Sequence, residues 1–200
     1  MSRRSQDRSK SLNNSYFVVC EGETEKNYLK HLRQKYSRGN VEVKTVTGSG
    51  QAYELVEYTI KTINNRGKAF KKSIKKTYVV FDKDEIEATK IQKAFKLASK
   101  NDINICFSNI NFDLWLLLHF QELQKERVIE VKKLNDNLAE VLNIANWCEH
   151  KASPKICEKL TDKIQQAFNN WEKIKENNKE NNPYTDVPKM LQEIFKREKW

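Results

Sequence analysis

Two acid clusters in this chain could do chemistry. Glu21-Gly22-Glu23-Thr24-Glu25 follows the apolar run Tyr16–Cys20, and Asp82-Lys83-Asp84 follows the apolar run Tyr78–Phe81. At a strand end, residues two apart share a side, so Asp82 and Asp84 would face one site while Lys83 points away. Glu25 lies one helical turn beyond Glu21, so both carboxylates can reach one spot while Glu23 faces solvent. Gly22 between them would allow the tight turn. Carboxylates held a few ångströms apart repel one another, and a hard divalent cation is the usual remedy. Four converging carboxylates, Glu21, Glu25, Asp82 and Asp84, would hold one or two Mg²⁺ or Mn²⁺ ions, the arrangement used for in-line phosphoryl displacement. The bland alternative is that each cluster only trims the positive end of the helix that follows it.

The elements that must position these acids are legible from periodicity. Tyr16–Cys20 and Tyr78–Phe81 are continuous apolar runs, as expected of strands buried on both faces. Val41, Val43 and Thr45 alternate with polar residues as a further strand through Val46, and Ile103–Phe107 makes a fourth. Between them come helical spacings: Tyr28, Leu29, Leu32 and Tyr36; then Ala52 to Ile63, after a break at Gly48-Ser49-Gly50; then Ile91, Ala94, Phe95 and Ala98. The order βαβαβαβ predicts a mostly parallel α/β sheet with helices on both faces. Such a sheet binds ligands at the carboxyl ends of its strands, where both acid clusters fall. From Asn111 onward the pattern reads as all helix, with a last helix near Thr185-Asp186 that tolerates Pro188 in its first turn. The expected organisation is a basic tail over 1–14, an α/β domain over 15–122 and a helical extension over 123–200 packed on it.

Charge is unevenly distributed. Residues 1–80 hold 17 lysines and arginines against 7 acids, whereas residues 81–200 hold 20 of each, so the formal net charge of +10 lies in the first part. Its densest cluster is Arg66, Lys68, Lys71, Lys72, Lys75 and Lys76, which would attract a polyanion such as RNA or DNA, or merely keep a loop solvated. Cys20 and Cys106 sit in apolar runs as small core residues, and Cys148 and Cys157 lack the paired spacings of a zinc site. The tail has no apolar stretch of a signal peptide, and no apolar run approaches the ~20 residues that span a bilayer. A cytoplasmic protein without membrane contact is the expectation.

A glutamate after one strand and Asp-x-Asp after a later one resembles the Toprim domain of topoisomerases, primases and nucleases. The motifs Val19-Cys20-Glu21-Gly22-Glu23-Thr24-Glu25 with Tyr28, Val80-Phe81-Asp82-Lys83-Asp84, Ser108-Asn109, Phe112–Phe120 and Asn182-Pro183-Tyr184-Thr185 resemble, more narrowly, the RloB-like family of phage-defence proteins, related to AbiL. That resemblance implies a Toprim-like (Rossmann-like) fold and a metal-dependent nuclease of abortive anti-phage defence, paired with an ATPase. It implies Glu21, Glu25, Asp82 and Asp84 as metal ligands, with Glu21 also as general acid or base, and it nominates Asn109, Asp113 and His119 beside the site. Ile110 stands where the family usually has proline, and Asp113 where it usually has the longer glutamate. For His119, in an apolar helix, a structural role is as well founded as a catalytic one. The helix-rich end reads either as core or as a docking surface for the partner.

Two other functions fit parts of this pattern. A non-catalytic nucleic-acid-binding partner would keep the fold and bind without metal. An aspartyl-phosphate phosphatase is also built around Asp-x-Asp, but places it after the first strand rather than the third.

Overall fold

The computed structural model of the 200-residue chain describes residues 15–36, 39–46, 52–151, 153–197 and 199–200. The expected tail over 1–14 and the Gly48-Ser49-Gly50 break lie outside the described residues.

The apolar runs form the centre of a five-stranded sheet. Strands β1 (Ser15–Cys20), β2 (Val41–Thr45), β3 (Ile74–Asp82) and β4 (Ile103–Asn109) pair in parallel in the order β2-β1-β3-β4, and β5 (Tyr184–Thr185) adds to β4 antiparallel. β1 and β3 lie side by side with Cys20 opposite Val80, so both acid clusters emerge at one edge. Alternation along the strands splits the core in two. Tyr16, Val18, Cys20, Tyr78 and Val80 face α1 (Glu23–Lys35) and the C-terminal helices. Phe17, Val19, Val79 and Phe81 face α2 (Tyr53–Asn65) and α4 (Ala88–Lys100). The expected α/β sheet with helices on both faces is therefore present.

Two local expectations are corrected. The basic segment is not an irregular loop: Gly67–Ser73 forms a short helix, α3, and Lys75 and Lys76 already belong to β3, which starts at Ile74 rather than Tyr78. Gly67, at φ +81, makes the break that separates α3 from α2, a conformation glycine adopts without a side-chain clash. Nor is the stretch after Asn111 all helix. α5 (Asp113–Leu118), α6 (Val131–Leu142), α7 (Trp147–His150), α8 (Pro154–Asp162), α9 (Ile164–Trp171) and α10 (Val187–Phe195) are interrupted by β5, whose two residues return to the sheet. Ser108 and Thr185, 77 residues apart, hydrogen-bond through their hydroxyls at that junction. Two paired residues leave no periodicity for sequence reading to find.

α5 is buried on every side, and its six residues anchor the helical part on the sheet. His119 caps its C-terminal end at 0% exposure. Its Nδ1–H donates to the Trp115 carbonyl (3.0 Å), which leaves Nε2 to accept from the Tyr28 hydroxyl (3.0 Å) and ties α5 to α1. Burial holds the ring neutral and lowers its pKa to about 3. Among the described residues, no helix is long and apolar enough to cross a membrane.

This histidine has a measurable consequence. A folded-state pKa below the unfolded value means that the unfolded chain takes up the proton first, so stability is present above about pH 6.5 and is lost as pH falls. The His119 contribution should decline by about 2 kcal/mol between pH 7 and pH 5. His119→Gln should be less stable than wild type at pH 7.5, with a gap that narrows by that amount at pH 5 in urea titrations. A gap independent of pH would show that the ring is not held neutral.

Candidate active site

The carboxyl edge of β1 and β3 opens into a cleft of about 220 Å³ lined by Glu21, Thr24, Glu25, Asp82, Asp84, Asn111, Asp113 and Lys151, among others. Each acid arrives there by a different local device. Glu21 leaves the end of β1, where its N–H donates to the Val80 carbonyl (3.2 Å). Glu25 lies in the first turn of α1, near the positive end of the helix. Gly22 precedes that helix at φ −114 and ψ 162, a conformation open to any residue. What requires glycine there is space: a Cβ on Gly22 would collide with the Glu25 carboxylate. The tight-turn reading of Gly22 is thus replaced by one of close approach.

Asp82 ends β3. Its Oδ2 accepts the Phe112 N–H at 3.0 Å, while its Oδ1 is buried without a hydrogen-bond partner among the described residues. Strand alternation does not carry Asp84 to the cleft, because β3 stops at Asp82. Asp84 sits at φ 33, in the left-handed region that aspartate tolerates better than most residues. The Ile110 carbonyl fixes this turn by accepting the N–H groups of both Lys83 (3.1 Å) and Asp84 (3.2 Å).

The third wall comes from the helical part. Asp113 opens α5, and its Oδ2 accepts from Trp147 Nε1 (2.9 Å) and pairs with Lys151 Nζ (2.6 Å). Sequence reading missed Lys151 and Asn111. Asn111 lies between the Ser108-Asn109 and Phe112–Phe120 motifs and could have been nominated by its neighbours. Lys151 follows a four-residue helix far along the chain, with no local pattern to mark it. Asn111 Oδ1 is a second buried oxygen without a partner among the described residues.

Two nominated residues are elsewhere. His119 lies in the core between Tyr28 and Trp115, with both ring nitrogens engaged. Asn109 is buried beneath the 177–182 segment, where its side-chain amide donates to the carbonyls of Lys179 (3.2 Å) and Glu180 (3.3 Å). Glu23 faces solvent as expected, bound to Lys26 and Thr45.

The electrostatics are those of crowded anions. Burial, and then the Glu25 charge, push the Asp82 pKa well above the carboxylate range. Burial raises Glu25 to about 7, with Asp113 and Glu21 adding to it. Glu21 is raised by burial and then by Asp84, and Asp84 by burial and then, among the acids, by Asp113. Burial alone would lower the Lys151 pKa, but Asp113 beside it outweighs that and raises it. The donors are all hard oxygens, and two of them lack partners, which suits magnesium or manganese rather than zinc. The ligand cage itself is not closed. Among the described residues, no three aspartate, glutamate, histidine or cysteine side chains are grouped as a metal site.

The basic cluster is at the other end of the sheet and is partly neutralised. Arg66 pairs with Glu42 (2.6 Å) and lies over the Phe70 ring, while Lys75 (3.2 Å) and Lys76 (3.4 Å) share Glu193. Lys68, Lys71 and Lys72 have no ion pair among the described residues. Seven residue steps along β3 separate Lys75 from Asp82, roughly 23 Å. Cys20, Cys106 and Cys157 are buried, Cys148 is exposed, and all four are free thiols.

A family model described as RloB-like protein matches residues 16–194. No curated protein matches the chain.

The raised Glu25 pKa gives a signed expectation. A carboxyl that stays protonated longer in the folded state stabilises fully below its unfolded pKa, near 4.5, and loses that stabilisation as pH rises through 7. With EDTA present, Glu25→Gln should gain about 2 kcal/mol on wild type between pH 5 and pH 8. Parallel pH profiles for the two proteins in denaturant titrations would refute a carboxyl held protonated by burial at this position.

Proposed function

The chain belongs to the RloB-like family, and from that premise we propose that the carboxylate cleft is the active site of a Mg²⁺- or Mn²⁺-dependent nuclease of Toprim type, acting on RNA or DNA in abortive anti-phage defence. The observation that carries this reading is the gathering of five carboxylates at the carboxyl edge of two adjacent parallel strands, with Asp82 Oδ1 and Asn111 Oδ1 buried and unpartnered among them. Acids collected only to trim helix ends would stay hydrated and apart.

Glu21, Glu25, Asp82 and Asp84 would hold one or two cations. A bound cation supplies Lewis-acid activation of a water or ribose hydroxyl and offsets charge on the departing oxygen. The chain's own groups do the rest. Glu21, half-buried and with a raised pKa, can take a proton from the attacking group or return one to the leaving oxygen. Phe112 N–H fixes the Asp82 carboxylate. Trp147 and Lys151 hold Asp113, and the Lys151 ammonium stands where it can meet a phosphate oxygen. Lys68, Lys71 and Lys72, with Arg66, Lys75 and Lys76 around them, would bind the nucleic-acid backbone away from the scissile bond. An ATPase of the same defence system is the proposed protein partner.

The ungrouped ligands favour one second reading, a nucleic-acid-binding protein that does not cut. One assay separates the two. Purified protein is incubated with tRNA, single-stranded DNA and duplex DNA in Mg²⁺, Mn²⁺ or EDTA, and the products are resolved on a gel. The nuclease reading expects cleavage of at least one substrate in metal and none in EDTA; binding with intact substrate throughout would establish the second.

Asp82→Asn and Asp84→Asn should each abolish cleavage while leaving the circular-dichroism spectrum unchanged. Lys151→Met should cost on the order of 10²-fold in kcat. Gly22→Ala should lower Mn²⁺ affinity more than stability, because the added methyl displaces a flexible carboxylate rather than the backbone. Full activity in the Asp82 and Asp84 variants would move the chemistry out of this cleft.

A further inference from the structure

α4 carries the chain back from the carboxyl edge, where Asp82 and Asp84 lie, to the amino edge, where Asn101, Asp102, Lys71, Lys75 and Lys76 line a small pocket. Over its thirteen residues it has four lysines and no acid. Lys90, Lys93, Lys96 and Lys100 fall within about 120° of the helix circumference; Lys93, Lys96 and Lys100 lie on the side away from the buried Ala94 and Ala98, and Lys90 lies beside Ala94 at the edge of that face. All four are exposed, and none has an ion pair among the described residues. They border a groove of about 540 Å³, whose wall opposite is made by Tyr53 and Glu54 of α2. Lys90 is six residues beyond Asp84, and from Lys90 to Lys100 the helix rises about 15 Å, a length that can follow a short stretch of extended single strand.

A row of unpaired ammonium groups aligned with a groove, and with an aromatic ring on its wall, is the arrangement that holds a single nucleic-acid strand: cations track the backbone and the ring stacks a base. We propose that α4 is a strand-guiding track, which conducts a single-stranded stretch of nucleic acid from the basic cluster of α3 and β3 to the carboxylate cleft, with Tyr53 as its stacking platform. The inference rests on the nuclease reading for the direction of travel, but the track itself is a binding property. It supplies the link otherwise missing between a basic cluster and a cleft set at opposite edges of the sheet.

The test is affinity in EDTA, so that cleavage plays no part. A fluorescein-labelled twelve-nucleotide single strand is titrated by anisotropy at several salt concentrations with the full chain. Its partners are wild type, the track variant Lys93→Ala/Lys96→Ala/Lys100→Ala, and a control with the same charge removed from the exposed positions Lys155, Lys159 and Lys173 of the helical part. The track variant should bind at least tenfold more weakly, with a salt slope shallower by about 2, or about 0.7 per lost phosphate contact. The control should stay within twofold of wild type. Tyr53→Ala should weaken binding and Tyr53→Phe should retain it. A track variant within twofold of wild type, a control that loses as much as the track variant, or a wild type that does not bind the strand each overturns the proposal. Wild-type binding without cleavage in Mg²⁺ would instead refute the nuclease reading and leave the track standing.

Discussion

Parallel pairing of β1 with β3 is the constraint on which the cleft depends. The opposition of Cys20 and Val80 brings two segments that end some sixty residues apart in the chain to the same height at the same edge. Both strands are buried on both faces, so a slip of register would exchange the residues of the two cores and is strongly opposed. The acids that follow these strands inherit that rigidity. Neither Glu21 nor Asp82 could choose to stand apart from the other, whatever their mutual repulsion.

That repulsion is then managed rather than removed. Phe112 N–H meets one oxygen of Asp82, the first turn of α1 offers its positive end to Glu25, and Lys151 places an ammonium beside Asp113. These contacts leave two oxygens unsatisfied, and the pKa values of the acids remain raised. Buried polar atoms are normally paired, so unpaired ones that line a cleft indicate a region shaped by something other than stability. The same logic separates His119 from the site. It is more deeply buried than the acids, but its ring nitrogens are both engaged, and it stabilises the junction of α1 and α5.

How much of this was legible in the sequence depended on whether the signal was local. Glu21 and Asp82 could be found because each ends a run of apolar residues that only a buried strand explains. For Asp84 alternation suggested a direction, whereas the structure brings it to the cleft through a left-handed turn latched to Ile110. Gly22 was noticed for its backbone freedom and is needed for its missing side chain. The basic segment showed its charge but not its partners, because Glu42 and Glu193 are remote in sequence. Lys151 and β5 could not be seen at all, since each acquires its meaning only by long-range contact. The lysines of α4 leave no mark in the sequence beyond an exposed helix face with regular charge, which resembles ordinary solvation until the groove beside it is known.

The pairing of Asn109 with Tyr184 has one more implication. The helical part up to β5, which excludes α10, leaves the sheet and returns to it at a single corner, so it is an insertion in the geometric sense, closed at its base by two strands. Closure entropy grows only slowly with the length of such an excursion. The connections of its outer helices α6, α8 and α9 can therefore lengthen or shorten at little cost to the edge where Glu21 and Asp82 stand. Its first helix and the segment around Lys151 lack that freedom, because they form a wall of the cleft. One excursion thus holds two regimes of drift, permissive at its periphery and restrictive at its root.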